Sequence, residues 1–81
     1  MPKTVKVYST DTCPYCTMAK NFLMKNSIAF EDVNVGQDQV KAQEMLEKSG
    51  QSGVPVIEID NKIIIGFDIE EISKELNIKP V

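Results

Sequence analysis

Short β-prone runs alternate with stretches of helical periodicity along this chain of 81 residues, and their order predicts seven elements. Val5-Lys6-Val7-Tyr8-Ser9 reads as a first strand. From Pro14 to about Asn26 the apolar residues Met18, Ala19, Phe22 and Leu23 recur at helical spacing, and Asn26-Ser27 ends the pattern. Phe30 to Val35 alternates like a second strand. Gly36-Gln37-Asp38 then opens a more polar helix that closes at Gly50, a residue suited to a left-handed C-terminal cap. Val56-Ile57-Glu58-Ile59 and Lys62-Ile63-Ile64-Ile65 flank Asp60-Asn61, whose side chains tolerate positive φ, so the two runs predict an antiparallel hairpin. Asp68, with Glu71 three residues on, forms a D-x-x-E capping box ahead of the apolar stripe Ile69, Ile72 and Leu76. The order is βαβαββα, an α/β chain whose opening strand, helix and strand imply a parallel pair. Met18, Phe22, Leu23, Met45, Leu46, Ile57, Ile59, Ile72 and Leu76 are the expected core.

No repeat, low-complexity tract or linker interrupts this order, so residues 1–81 are expected to form one domain. A chain this short buries only about 60% of the surface its unfolded form exposes, and its core must be simple. Met1-Pro2-Lys3-Thr4 leads straight into the strand pattern, and no apolar stretch reaches membrane-spanning length. The expected setting is cytoplasmic, with no membrane partner, and the expected state is a monomer.

Charge narrows the function. The 9 basic residues, all lysine, are outnumbered by 12 acids for a net charge of -3, which disfavours nucleic acid as a partner because such binding needs a basic face. The chain has no histidine, and so lacks the commonest general base and metal ligand. What remains is sulfur. The only two cysteines stand in Cys13-Pro14-Tyr15-Cys16, at the head of the first predicted helix. Two thiols three positions apart at a helix start lie about 5 to 6 Å apart on one face, within the Cα separation a disulfide tolerates. Cys13 is the natural N-cap and Pro14 the first helical residue, where a missing N–H costs nothing. A Cys13 thiolate there accepts hydrogen bonds from free amides at the positive end of the helix dipole, and both effects stabilise it. Cys13 is therefore the expected nucleophile and Cys16, a turn deeper, the resolving thiol. A zinc site would need four ligands, a structural disulfide would close too small a loop to stabilise much, and an idle adaptor would have no need of two thiols at a helix N-terminus.

Cys13-Pro14-Tyr15-Cys16 after the first strand, Val54-Pro55 before the third and Gly66-Phe67-Asp68 before the last helix together resemble glutaredoxins over nearly the whole chain. The resemblance implies a thioredoxin fold, a four-stranded mixed sheet flanked by three helices, and reversible dithiol–disulfide exchange with no tightly bound cofactor and no metal. It implies glutathione as co-substrate, and disulfide-bearing or glutathionylated proteins as targets. It also implies that Pro55 is a cis-proline, that the Val54 backbone pairs with the cysteine moiety of glutathione beside Tyr15, and that Phe67 and Asp68 hold its γ-glutamyl end. Lys20, Lys25, Lys41 and Lys48 read most simply as solvated helix faces, although Lys41 or Lys48 could reach the glycine carboxylate. A dimeric iron–sulfur site shared with glutathione occurs in relatives, and Pro14 argues against one here.

The resemblance departs from the family pattern where many members have a basic residue three positions before the first cysteine, Arg or Gln on the second helix, Thr before Val-Pro, and Gly-Gly before the final helix. This chain has Thr10, Ala42, Gly53 and Ile65-Gly66 there, and Ile69 in place of a second acid. Gly66-Phe67 instead looks like the glutaredoxin-like redoxins that are reduced by thioredoxin reductase and donate electrons to enzymes such as ribonucleotide reductase or peroxidases. That is the alternative reading of the electron source.

Overall fold

A computed structural model of the chain describes residues 3–78. Its elements follow the expected order: β1 (Val5–Ser9), α1 (Pro14–Lys25), β2 (Glu31–Asn34), α2 (Gln39–Ser49), β3 (Val56–Ile59), β4 (Lys62–Ile65) and α3 (Ile69–Leu76). The strands form one sheet in the order β2-β1-β3-β4. β1 and β2 are parallel, whereas β3 runs antiparallel to both β1 and β4. This mixed sheet with three helices is the thioredoxin fold.

Strand alternation assigns the helices to opposite faces. Val5, Val7, Ile57, Ile59 and Ile64 point to one side and meet Ala19, Phe22 and Leu23 of α1 and Ile72 of α3. Tyr8, Val33 and Val56 point to the other and meet Met45 of α2. Fully burying one such aliphatic or aromatic side chain contributes about 1.5 to 3 kcal/mol, so the α1/α3 side is the heavier of the two. Phe67, just before α3, adds its ring to that side, edge-on to Phe22 with centroids 6.0 Å apart.

Local signals mark the element ends. Asp38 caps α2 by accepting the Val40 and Lys41 amides at 3.0 and 3.2 Å, and Gly50 closes it at φ 75°, its N–H donating to the Leu46 carbonyl. In the hairpin turn Asp60 takes φ 53° and clasps the chain ahead of β1: its amide donates to the Thr4 carbonyl, and its carboxylate accepts the Thr4 amide.

Three expectations need correction. β2 is shorter than residues 30–35 because Phe30 leaves the ladder to pack half-buried on the α1 side and Val35 begins a turn. Met18 is exposed, because the buried stripe of α1 runs through Cys16, Ala19, Phe22 and Leu23 and Met18 lies off its edge. Leu46 is exposed because α2 buries only Met45 fully. Polar contacts do the remaining work on that side. Lys48 Nζ donates to Glu58 at 3.0 Å and to the phenol of Tyr8 at 3.5 Å, while Glu44 stands 3.6 Å from both Lys41 and Lys48.

This cluster has a pH signature. Burial is the largest influence on the Tyr8 phenol and raises it above its ordinary 10.0; Lys48 opposes this and the Glu44 and Glu58 charges add to it. The Glu58 hydrogen bond chiefly raises Lys48, against the effect of burial. Both groups hold their protons more tightly when folded, so the stability they give is fully present below about pH 10 and is lost as pH climbs past it. In Tyr8→Phe one of the two titrations is gone. Melting temperatures measured from neutral pH to about pH 11.5 should fall less steeply above pH 10 in the variant than in the parent.

Candidate functional site

The redox pair sits where β1 hands over to α1. Cys13 has extended backbone angles (φ -103°, ψ 107°) and caps α1 with its own sulfur: the Cys16 N–H donates to Cys13 Sγ at 3.1 Å. Pro14 is the first helical residue, so the first turn loses no hydrogen bond by having it. The two cysteines are joined as a disulfide with Cα atoms 5.2 Å apart, inside the usual range. Their exposure differs: Cys13 is partly open to solvent, whereas Cys16 is 0% exposed under α1.

A side-chain bridge holds the loop that presents Cys13. Asp11 accepts the amide groups of Asn34 at 2.8 Å and Gln37 at 2.9 Å, and the Ser9 carbonyl accepts the Val35 N–H at 2.9 Å. Gly36 permits this approach, since a Cβ there would stand 3.2 Å from Asn34 Oδ1 and 3.4 Å from Thr10 Cγ2. Sequence reasoning missed Asp11, Asn34 and Gln37. Asp11 and Gln37 are ordinary polar loop residues and Asn34 an ordinary strand end until the parallel β1–β2 pairing brings them together.

The Val54–Pro55 peptide is cis, as expected. Tyr8 pairs with Val56, so Pro55 lies level with the end of β1 from which the cysteine loop departs. Gly66 at φ 80° donates its N–H to the Pro55 carbonyl at 2.8 Å, which brings Phe67 and Asp68 to the same end of the sheet. Cys13, Cys16, Val54, Pro55, Phe67 and Asp68 thus converge at that end. Tyr15 projects from the first turn of α1, 63% exposed, with exposed Met18 one turn on. Phe67 faces inward with its ring, packed on the α1/α3 core. Asp68 caps α3 by accepting the Glu71 amide at 3.2 Å, one half of the expected capping box.

Lys41 and Lys48 stand elsewhere in the charge pattern. Lys41 pairs with Glu44, and Lys48 with both Glu44 and Glu58. On the α1 side, Asp32 of β2 accepts Ser9 Oγ at 2.8 Å and Lys20 Nζ at 3.0 Å. Burial works against the Asp32 charge, but the hydrogen bonds from Ser9 and Lys20 and the Lys20 charge outweigh it and hold the carboxyl below the usual carboxylate range. Lys20, expected on a solvated helix face, is instead half-buried in this pair.

The glutaredoxin family model matches residues 5–64. An uncharacterized glutaredoxin-like 8.6 kDa protein in the rubredoxin operon of Clostridium pasteurianum is 51% identical over 70 residues, covering 86% of this chain and 93% of that one. Glutaredoxin 3 of Escherichia coli strain K12 is 38% identical over 64 residues, 79% of this chain and 77% of that one. Glutaredoxin-like protein NrdH of Lactococcus lactis is 33% identical over 70 residues, 86% of this chain and 96% of that one. Among solved structures, the thioredoxin-like protein BC3987 superimposes with a TM-score of 0.85 at 30% identity, over 90% of this chain and 100% of that one.

The Asp68 carboxylate has a structural duty that can be separated from any ligand contact. Asp68→Ala should cost about 1 kcal/mol, a drop of roughly 4 to 8 °C in melting temperature for a chain of this size. Asp68→Asn keeps a capping oxygen and should melt close to the parent. Equal losses in both variants would show that charge, and not the cap, is what Asp68 supplies to α3.

Proposed function

Since the chain belongs to the glutaredoxin family, whose members are thiol–disulfide oxidoreductases, we propose that it reduces disulfides by a Cys13/Cys16 dithiol cycle. The carrying observation is the asymmetry of the pair. Cys13 Sγ is partly open and takes the Cys16 N–H at 3.1 Å, an arrangement that stabilises a thiolate, while Cys16 is fully buried one turn in. Cys13 attacks the target disulfide and forms a mixed disulfide. Cys16 then displaces the reduced product.

Glutathione is the electron donor in the first form of this reading. The Val54 backbone, Phe67 and Asp68 amides and Tyr15 ring line the end of the sheet where a bound tripeptide would meet Cys13, and an extended ligand can add beside Val54 as a short strand. Glutathionylated proteins and protein disulfides are then the substrates, no tightly bound cofactor takes part, and the cytoplasm is the setting in which the dithiol stays reducible.

A specific observation favours a second donor. Positions 10 and 42 are the uncharged Thr10 and Ala42, and both lysines near α2 are engaged by Glu44 and Glu58. A glycine carboxylate would have to compete for them. A redoxin fed by thioredoxin reductase has no such requirement, and the likeness to NrdH of Lactococcus lactis supports it.

NADPH consumption separates the two. The protein is assayed with glutathione, glutathione reductase and a glutathionylated substrate, and in parallel with thioredoxin reductase and a protein disulfide. Turnover confined to the first system assigns glutathione, and turnover confined to the second assigns the reductase. In whichever system is active, Cys13→Ser should lose all exchange. Cys16→Ser should keep reduction of glutathione mixed disulfides and lose most reduction of protein disulfides. Turnover by the Cys13→Ser protein would overturn the role given to Cys13.

A further inference from the structure

We propose that the Lys20–Asp32 ion pair, latched to β1 by Ser9, is a positioning element that sets how readily Cys16 resolves the mixed disulfide. This rests on the reading that Cys13 attacks and Cys16 resolves.

Resolution asks much of Cys16. Its thiol releases a proton to water, its sulfur forms a bond to Cys13 Sγ, the bond from Cys13 to the partner sulfur breaks, and the partner leaves as a thiolate. The two electrons gained by the partner disulfide come from the protein dithiol. Yet Cys16 is 0% exposed, and a thiol in apolar surroundings gives up its proton reluctantly. The chain has no histidine to receive it.

Lys20 is four residues after Cys16 on α1, which puts the two on one helix face with Cβ atoms about 5 to 6 Å apart. Helical side chains lean toward the N-terminus, so the Lys20 stem runs back over the turn that carries Cys16. Its ammonium does not swing freely: Nζ is 3.0 Å from Asp32 Oδ2, and Lys20 is only 23% exposed in its side chain. Asp32 is fixed in turn by Ser9 Oγ at 2.8 Å. Ser9 is the last residue of β1 and 2% exposed, so the latch is anchored inside the fold at Ser9, immediately before the cysteine loop, while its Asp32 end is 48% exposed.

The other charged groups near this end have partners of their own. Asp11, in the loop, accepts from Asn34 and Gln37, and Asp68 caps α3. Val54 and Pro55 carry no charge. Among the described residues, Lys20 is the cation that helix spacing sets on the Cys16 face, and Asp32 is the anion that holds it. An ammonium favours the sulfur anion and a carboxylate disfavours it. Removing either partner must then act in opposite directions, which simple loss of a stabilising contact cannot do.

The test follows the reduced protein in a stopped-flow instrument with one equivalent of dithiobis-nitrobenzoate, whose released thiolate absorbs. Attack by Cys13 releases one thiolate in a concentration-dependent phase, and resolution by Cys16 releases the second in a first-order phase. Cys16→Ser must lack the second phase; if it persists there, the assignment of roles fails and this proposal with it, for that separate reason. Against pH, the second phase in Lys20→Gln should have its midpoint moved up and run on the order of threefold to tenfold slower at pH 7. In Asp32→Asn the midpoint should move down and the phase quicken by a similar factor. Lys20→Arg should restore the parent profile. Shifts of the same sign, a shift in only one variant, no shift, or an effect confined to the first phase would each overturn the proposal. Should Asp32→Asn fail to fold, Lys20→Gln read against Lys20→Arg decides, and an unmoved midpoint overturns it.

Discussion

The contact from the Cys16 amide to the Cys13 sulfur makes one atom both the cap of a helix and the reacting centre. Wherever α1 starts, the reactive sulfur is. The start of α1 is fixed by Pro14, and the helix is seated by Ala19, Phe22 and Leu23 against Val5, Val7, Ile57 and Ile59. Core packing thus determines where a thiolate is presented and how many free amides it meets. The cysteine loop has little freedom of its own, because Asp11 is held by side chains from the end of β2 and the turn after it. A redox centre of four residues depends on this frame.

Much of that frame is legible in the sequence because its signals are local. Cys13-Pro14 announces the start of α1, Gly50 the end of α2, Asp60-Asn61 the hairpin and Asp68 the start of α3, each through a preference of one or two residues for a particular backbone shape. Periodicity is weaker evidence. It shows that α1 has an apolar stripe, but a stripe can be centred on Met18 or on Ala19 with almost the same pattern, and only the seat on the sheet chooses Ala19. Met18 and Leu46 fell on the wrong side for this reason. Contacts between residues distant along the chain were not legible at all. Ser9 meets Asp32 across 23 positions, and Lys48 meets Tyr8 across 40, through pairings that exist only once the strand order is known. The resemblance to a family supplied the cis bond at Pro55, and the packing of the Phe67 ring against Phe22 was not legible before the fold was known.

The chemistry and the choice of electron donor are kept in separate parts of the molecule. On the proposed reading, exchange uses Cys13, Cys16 and the end of the sheet at Pro55, on the α1 and β3 framework. On the same reading, discrimination among donors falls to Thr10 in the cysteine loop and to Ala42 and the lysines of α2, a helix that contributes one fully buried side chain. Family likeness is therefore a firmer guide to the reaction than to the partner, because the positions that differ from the family pattern, Thr10, Ala42, Gly53, Ile65 and Ile69, leave the cysteine pair and Pro55 untouched.

That layer has a further property. The α1 and α3 side is joined to the sheet by apolar contact, which dissolved ions hardly weaken. The α2 side relies on the partly exposed charges of Lys41, Glu44, Lys48 and Glu58 around Met45. Mobile ions screen such charges over about 8 Å at physiological ionic strength and about 3 Å at 1 M. The same helix is preceded by the turn that holds Asp11. Ionic strength consequently acts most on the α2 side, loosening the layer that borders the cysteine loop, while apolar contact keeps α1 seated on the opposite face despite the Lys20–Asp32 pair there.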